Sequence, residues 1–332
     1  MEIRVIRPED AMELAKLNAA AFSVPVVPEK VQPYEHERLG AFEDGRLLAA
    51  VTIRPYECRW GRTYLPALGV GGVATMPLAR RGGLIRRLFD ELDRLAVERE
   101  WAFGMLYPFS YRYYRQFGYE RILPRVTVEL PFSELAQIPR SADGELYDGS
   151  QAEELLALYT RYADAHPLMA RRTDMRAWES APETNLRYTY LHRGAEGFDA
   201  CASLRYEAET IAVTELVYTT PESLQGILGM LRLFDGQRPR VCFAGLPQTS
   251  PVLPLLREYK ACSYSHYNGA MGRVLDTQRL LREHVWPQEA GRFTLGVEDA
   301  LPGCAGRFAV EYGGNAGFLT VIWLRGQRRL HH

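Results

Sequence analysis

The segment from Leu68 to Leu95, LGVGGVATMPLARRGGLIRRLFDELDRL, limits the fold more than any other part of the chain. Its first eight positions, Leu68 to Thr75, are small or apolar and read as a strand. Pro77 breaks that run, and Arg80, Arg81, Gly82 and Gly83 form a basic turn. From Leu84 the leucines fall at helical spacing, at 84, 88, 92 and 95. A strand, a basic glycine turn and a helix favour an anion. The first N–H groups of a helix lack partners inside it, and the helix dipole adds positive potential there. Two glycines let a bulky ligand approach the backbone, and a pyrophosphate suits such a turn. The residues expected to hold it are Arg80, Arg81, Gly82, Gly83, Leu84, Ile85 and Arg86. Val73, Ala74 and Thr75, at the end of the strand, offer main-chain groups to the rest of the ligand. Without a ligand, the same stretch is a strand–helix junction with exposed arginines.

A second stretch narrows this reading. Residues 103–120 read FGMLYPFSYRYYRQFGYE. A short apolar strand, Phe103 to Tyr107, leads through a turn into a short helix ending Tyr114-Arg115-Gln116-Phe117-Gly118-Tyr119. The pattern V-x-T-x-P-x-x-R-R-x-G-hydrophobic, followed downstream by Y-x-x-F-G-Y, resembles the GCN5-related N-acetyltransferases, the GNAT superfamily. More narrowly, ARRGGLIRRL with LYPFSYRYYRQFGYE is similar to its Eis (enhanced intracellular survival) branch. The usual R-x-x-G-x-G/A turn ends in a small residue, and this chain has Ile85 there, which Eis-like members tolerate.

The resemblance implies a fold and a chemistry. The fold class is α/β (α+β). It comprises tandem GNAT folds, each a mixed, mostly antiparallel sheet with helices on both faces, and a short sterol-carrier-like C-terminal region. The cosubstrate is acetyl-CoA and the acceptor a primary amine, on an aminoglycoside-like molecule, a polyamine or a lysine side chain. Tyr114 stands where such enzymes place their general acid. A phenol with an ordinary pKa near 10 is matched to protonating a thiolate. Phe109 and Ser110, after the second strand, would face the coenzyme across a V-shaped split. Backbone donors at a developing oxyanion can contribute about 3 kcal/mol. Phe22, Tyr34 and Glu35 fall in the region that covers the acceptor side. In Eis-like proteins the C-terminal carboxylate takes the amine proton. This chain ends at His332 after a short third region, so that role is not carried over, and a water relay or Glu35 are the alternatives. Symmetric homo-oligomers, often hexamers, are also implied.

Composition excludes several classes. At 332 residues two or three domains are expected. A net charge of −1 argues against a general nucleic-acid or membrane-surface binder. No apolar run is long enough to span a membrane. Residues 1–20 do not read as a signal peptide. The five cysteines are scattered and in no C-x-x-C spacing, and the seven histidines form no metal motif. No metal and a reduced, cytoplasmic setting are expected.

Along the chain, a strand at Ile3 to Arg7 precedes a helix whose apolar side includes Leu14 and Leu17. A hairpin turns at Asp44-Gly45. Arg125 to Leu130 alternates and is expected to close a first, catalytic domain over residues 1–132. A linker then leads to a second region, 133–275. There a strand ending at Tyr218 runs into Thr219-Thr220-Pro221 and a helix, repeating the order at Val73 to Phe89 without its arginine–glycine turn. A second, degenerate GNAT-like unit that binds no coenzyme is expected. Residues 276–332 form the shortened third region, with strands near 293–298, 306–312 and 318–324. Two rival functions stand beside N-acetyl transfer: a non-catalytic acyl-CoA or lipid-binding protein, and a GNAT enzyme that uses another acyl-CoA.

Overall fold

A computed structural model describes residues 1–26, 36–176, 178, 187–255, 258–267, 269–313 and 318–324. The expected contacts Tyr34 and Glu35 and the chain terminus lie outside the described residues. Two compact units are present: residues 1–121 with 270–332, and residues 122–269.

The first unit opens with β1 (Glu2–Val5), α1 (Ala11–Phe22), β2 (Arg38–Glu43), β3 (Arg46–Trp60) and β4 (Thr63–Thr75). There follow α2 (Leu84–Glu98), β5 (Phe103–Leu106), α3 (Tyr111–Arg115) and β6 (Glu120–Arg121). The second unit holds β7 (Arg125–Pro131), β8 (Gly144–Leu146), α4 (Ala152–Ala165), β9 (Tyr188–Gly194) and β10 (Gly197–Tyr206). It continues with β11 (Thr210–Tyr218), α5 (Pro221–Leu231), β12 (Arg240–Pro247) and β13 (Ser263–Tyr267). The chain then returns to the first unit with β14 (Met271–Val274), α6 (Thr277–Glu283), β15 (Gly291–Val297), β16 (Gly306–Gly313) and β17 (Phe318–Leu324).

Local chemistry accounts for the elements that position the site. The β2–β3 hairpin turns on Asp44 and Gly45, both at positive φ (50° and 76°), as a two-residue turn matched to strand twist requires. The α2 stripe of Leu84, Ile85, Leu88, Phe89, Leu92, Leu95 and Ala96 is buried. It packs with Val51, Ile53, Leu68 and Val70 of the sheet. Each fully buried leucine there contributes about 1.5–3 kcal/mol.

The two units repeat one topology. The first sheet runs β1-β2-β3-β4-β5-β14-β6 and the second β8-β9-β10-β11-β12-β7-β13. Among the described residues only β4–β5 and β11–β12 are parallel, and every other pairing within these two sheets is antiparallel. In both, the parallel pairing ends early. Val70↔Leu106 is the last pair in one and Val213↔Phe243 in the other, while β4 and β11 run on.

The sequence reading differs from the structure at the unit boundaries. Arg125–Pro131, expected to close the first domain, pairs with β12 and β13 of the second sheet. The strand beside β5 is β14, from beyond residue 270. The third region, expected as a separate domain, is compact with residues 1–121. Its strands form a separate three-stranded antiparallel sheet, β15-β16-β17. The reason is physical: Leu301 and Cys304 of that region are buried in the core beneath α2, with Met271 and Leu275 of the stretch just before it.

A fragment ending at residue 132 therefore lacks the strand between β5 and β6 and part of its core. Expressed alone, it should show no cooperative unfolding transition by circular dichroism, whereas the whole chain should. A sharp transition in the fragment would show that β14 is dispensable.

Candidate functional site

The turn before α2 leaves its amides open. Arg81 and Gly83 both adopt positive φ, 67° and 74°. Gly83 is the N-cap residue, and no side chain caps the helix. The first backbone bond into this turn from the helix is Arg87 N–H to the Gly83 carbonyl, 3.2 Å, and Arg80 N–H reaches back to Pro77 at 3.4 Å. Between them, no N–H from Arg81 to Arg86 donates to a backbone carbonyl among the described residues. Arg80, Arg81, Gly82 and Gly83 are all exposed. The two arginines form no ion pair or hydrogen bond among the described residues. An alternating left-handed turn with successive free amides is an anion cradle, and the helix dipole adds to its field. Gly83 has open space where a Cβ would stand. A diphosphate fits this donor set.

Arg86 behaves differently from the other two arginines. Its guanidinium donates to Gln116 Oε1 at 3.1 Å and lies 5.3 Å from the Phe117 ring centre. The side chain thus ties the start of α2 to the Y-x-x-F-G-Y segment, while its N–H remains part of the cradle.

The second component is a bulge in β4. Thr52 pairs with Gly71 and Ala50 with Ala74, so Gly72 and Val73 together face the single residue Val51. Gly72 takes φ +54°, and a Cβ there would stand 2.7 Å from Thr52 Oγ1. Only glycine meets both conditions. The bulge bends β4 where it has parted from β5, which leaves Val73, Ala74 and Thr75 without a strand partner on that side among the described residues.

Tyr114 lies in α3, 3% exposed. Its ring meets Phe109 and Tyr113, each at 5.3 Å, and Phe89 at 6.3 Å. Burial pushes its phenol pKa above the ordinary value, so the group stays protonated through the neutral range. Its hydroxyl makes no hydrogen bond among the described residues. Burial also raises the Tyr113 pKa, and the Arg86 charge pulls it back. Phe109 is 71% exposed and covers both tyrosines. The Ser110 side chain is engaged elsewhere, since its Oγ caps α3 by accepting from the Tyr113 N–H at 3.3 Å. Phe22 stands half-exposed at the end of α1.

Below the Y-x-x-F-G-Y turn sits a charge cluster that sequence reasoning missed. Arg273 of β14 donates to Asp93 of α2 at 2.7 Å and to Asp299 at 3.3 Å. Its Nε is buried without an acceptor. Gly118 takes φ +80°, and a Cβ there would stand 3.1 Å from that Nε. Burial raises the Asp93 pKa and Arg273 counteracts it. No spacing rule joins residues 93, 118, 273 and 299, so the pattern is visible only once β14 is placed.

The second unit has the same frame with the cradle closed. β11 carries a bulge at the equivalent place, with Thr214 between the pairs Ser203↔Glu215 and Leu204↔Val213. The next helix, α5, caps itself. Thr220 Oγ1 accepts from Ser223 N–H, and Ser223 Oγ accepts from the N–H groups of Thr219 and Thr220. Beside the bulge, Glu215 is clamped by Arg172, whose guanidinium lies 3.9 Å from the Tyr159 ring centre and 4.3 Å from that of Trp178.

Residues 2–122 match the family model of an acetyltransferase (GNAT) domain. No curated protein matches the chain. Among solved structures, it is similar to a probable N-acyltransferase from Enterococcus faecalis, with 21% identity and a TM-score of 0.84 over 97% of this chain and 85% of that one. A GCN5-related N-acetyltransferase from Anabaena variabilis gives 17% and 0.83 over 98% and 86%. Eis1 from Mycobacterium abscessus gives 19% and 0.79 over 98% and 86%. At these identities the likeness is one of fold, and it extends over both units.

The open cradle predicts a charge-reversal effect. Arg81→Glu should weaken CoA binding by about tenfold or more in calorimetry, equivalent to about 1.4 kcal/mol. The melting temperature should hardly move, because Arg81 is exposed. Unchanged affinity would place the anion elsewhere.

Proposed function

We propose, on the premise that residues 2–122 are a GNAT acetyltransferase domain, that the protein transfers an acetyl group from acetyl-CoA to a primary amine. The observation that carries this reading is the uncapped start of α2, where, among the described residues, the amides from Arg81 to Arg86 and the two arginines beside them have no partner. Those groups would hold the coenzyme's diphosphate. Val73, Ala74 and Thr75 would bind its pantetheine arm by main chain, and Phe109 and the Ser110 backbone would flank it.

Acetyl-CoA would supply the acyl group as a thioester; in the overall reaction the C–S bond breaks, a C–N bond forms, the amine loses a proton and the thiolate gains one. Main-chain N–H groups at the β4 bulge are suited to a developing oxyanion, since they are fixed before the substrate arrives. Tyr114 is the donor for the thiolate. Its raised pKa keeps the proton in place until a thiolate forms beside it, and the same apolar surroundings raise the thiol's pKa too, which keeps the two groups comparable as bases. Arg273 and Gly118 hold the turn that follows Tyr114. The resemblance to Eis-like proteins implies acceptors of the aminoglycoside, polyamine or lysine type, approached near Phe22. It also implies homo-oligomers.

In the second unit Pro221 brings no N–H to the helix start, and the amides of Thr219, Thr220 and Ser223 are already taken by Ser223 Oγ and Thr220 Oγ1, which leaves far less for a diphosphate. We assign it no coenzyme.

Tyr114→Phe separates the acid role from a packing role. Because the hydroxyl makes no hydrogen bond among the described residues, the phenyl ring should fit without loss of stability. In a CoA-release assay over a panel of amines, kcat should fall about 100-fold or more. Acetyl-CoA affinity should stay within about twofold, a difference of about 0.4 kcal/mol. Tight coenzyme binding with no turnover on any amine, in the unmodified protein, would favour a non-catalytic acyl-CoA carrier instead.

A further inference from the structure

The face of β3 that looks onto the β4 bulge carries a second set of polar groups. Tyr56, Arg54 and Thr52 stand over Gly69, Gly71 and Gly72 in turn. A Cβ on Gly69 would strike the Tyr56 ring at 2.4 Å, one on Gly71 would lie 3.9 Å from Arg54 Nε, and one on Gly72 would lie 2.7 Å from Thr52 Oγ1. The glycines leave this stretch of backbone bare beside the point where β4 bends. Thr52 is 5% exposed, and its hydroxyl, aimed at Gly72, makes no hydrogen bond among the described residues. The hydroxyl is not among the fully buried unpartnered atoms, so it keeps an accessible face and is available to a ligand that docks beside the bend. Arg54 is exposed and likewise forms no ion pair or hydrogen bond among the described residues.

We infer that Thr52 and Arg54 form the acceptor subsite, and that the acceptor is an amine bearing its own carboxylate a few bonds away. This rests on the acetyltransferase reading above. Thr52 Oγ1 accepts from the attacking amine next to the bulge, and the Arg54 guanidinium takes the carboxylate. The two residues are two positions apart on one strand, about 6.6 Å, and Arg54 leans over Gly71 toward the bulge. That spacing suits a short amino acid. It disfavours a polycation, because a second ammonium group would meet the Arg54 charge in place of a carboxylate. The guanidinium does a further service, since a fixed positive charge near an ammonium favours the neutral amine that must attack.

The test compares matched acceptors: glycine, β-alanine and 4-aminobutyrate against their methyl esters, with spermidine and an aminoglycoside alongside. CoA release from acetyl-CoA is followed for the unmodified protein and for Arg54→Ala, Arg54→Lys and Thr52→Val. At least one free acid should show kcat/KM about tenfold or more above its ester, the size of one lost ionic contact. Arg54→Ala should collapse that ratio toward one by raising KM for the acid, and Arg54→Lys should restore part of it. Thr52→Val should lower kcat for all amines, with melting temperature and acetyl-CoA affinity reporting that the fold and coenzyme site are intact. Esters or spermidine turned over as well as the acids, with no response to Arg54→Ala, would overturn the subsite and leave the acetyltransferase reading standing. Acetyl-CoA binding without turnover of any amine would overturn both.

Discussion

A helix start that nothing among the described residues satisfies is the constraint on which the rest of the first unit depends. Burying or exposing a run of unpaired amides is costly unless water or a ligand meets them. Three neighbouring features keep them open in α2. Gly83 brings no side chain to cap them, Arg81 and Gly83 turn left-handed so that successive N–H groups converge, and the apolar stripe from Leu84 to Ala96 locks the helix onto the sheet. The stripe matters as much as the glycines. A cradle that frayed would lose binding energy to ordering itself. The α5 helix shows the alternative solution on the same frame. Thr220 and Ser223 satisfy its first amides from within, and proline stands at its first turn. The contrast between the two units is one of local chemistry and not of architecture.

The same division explains how much could be read before the fold was known. Signals within about one turn or one strand survive in the sequence: the leucine spacing of α2, the Asp44-Gly45 hairpin, the arginine–glycine turn, the repeat of strand, threonine, proline and helix in the second half. Each is a local demand on φ or on periodicity, and each residue meets it alone or with close neighbours. What was not legible depends on pairing across long separations. Arg125 to Leu130 alternates as a strand should, but alternation states only that one face is buried and not which sheet accepts it. The bulge at Gly72 needed the register of β3 against β4, and the glycine-rich run beside it was the available sign. Arg54 and Thr52 gained meaning from that register, and Arg273 from the placement of β14. Ser110 illustrates a different limit. A serine before a short helix is as good a cap as a ligand contact, and in the structure its side chain caps.

The return of the chain through β14 gives the second unit a role that needs no chemistry. Sheet one is incomplete until Met271 pairs with Leu106 on one side and Arg121 on the other. Between Arg121 and Met271 lies the whole of residues 122–269. Closing so long a loop as a flexible chain carries an entropy cost, although the cost grows only with the logarithm of length. Folding the insert first removes most of it, because the ends of the second unit meet. Gly269 lies so close to Leu123 that a Cβ there would stand 2.1 Å from the Leu123 carbonyl, and Gln248 N–H bonds the Pro124 carbonyl at 3.3 Å. A folded insert thus delivers β14 beside β6 as though across a tight turn. The requirement on the second unit is that it fold and join its ends. That requirement is met by a sheet with a self-capped helix, and it places no demand on an open cradle. Loss of the arginine–glycine turn from the second half is then compatible with full retention of its fold, and Gly269, packed against the Leu123 carbonyl, is one position that the joining of its ends requires.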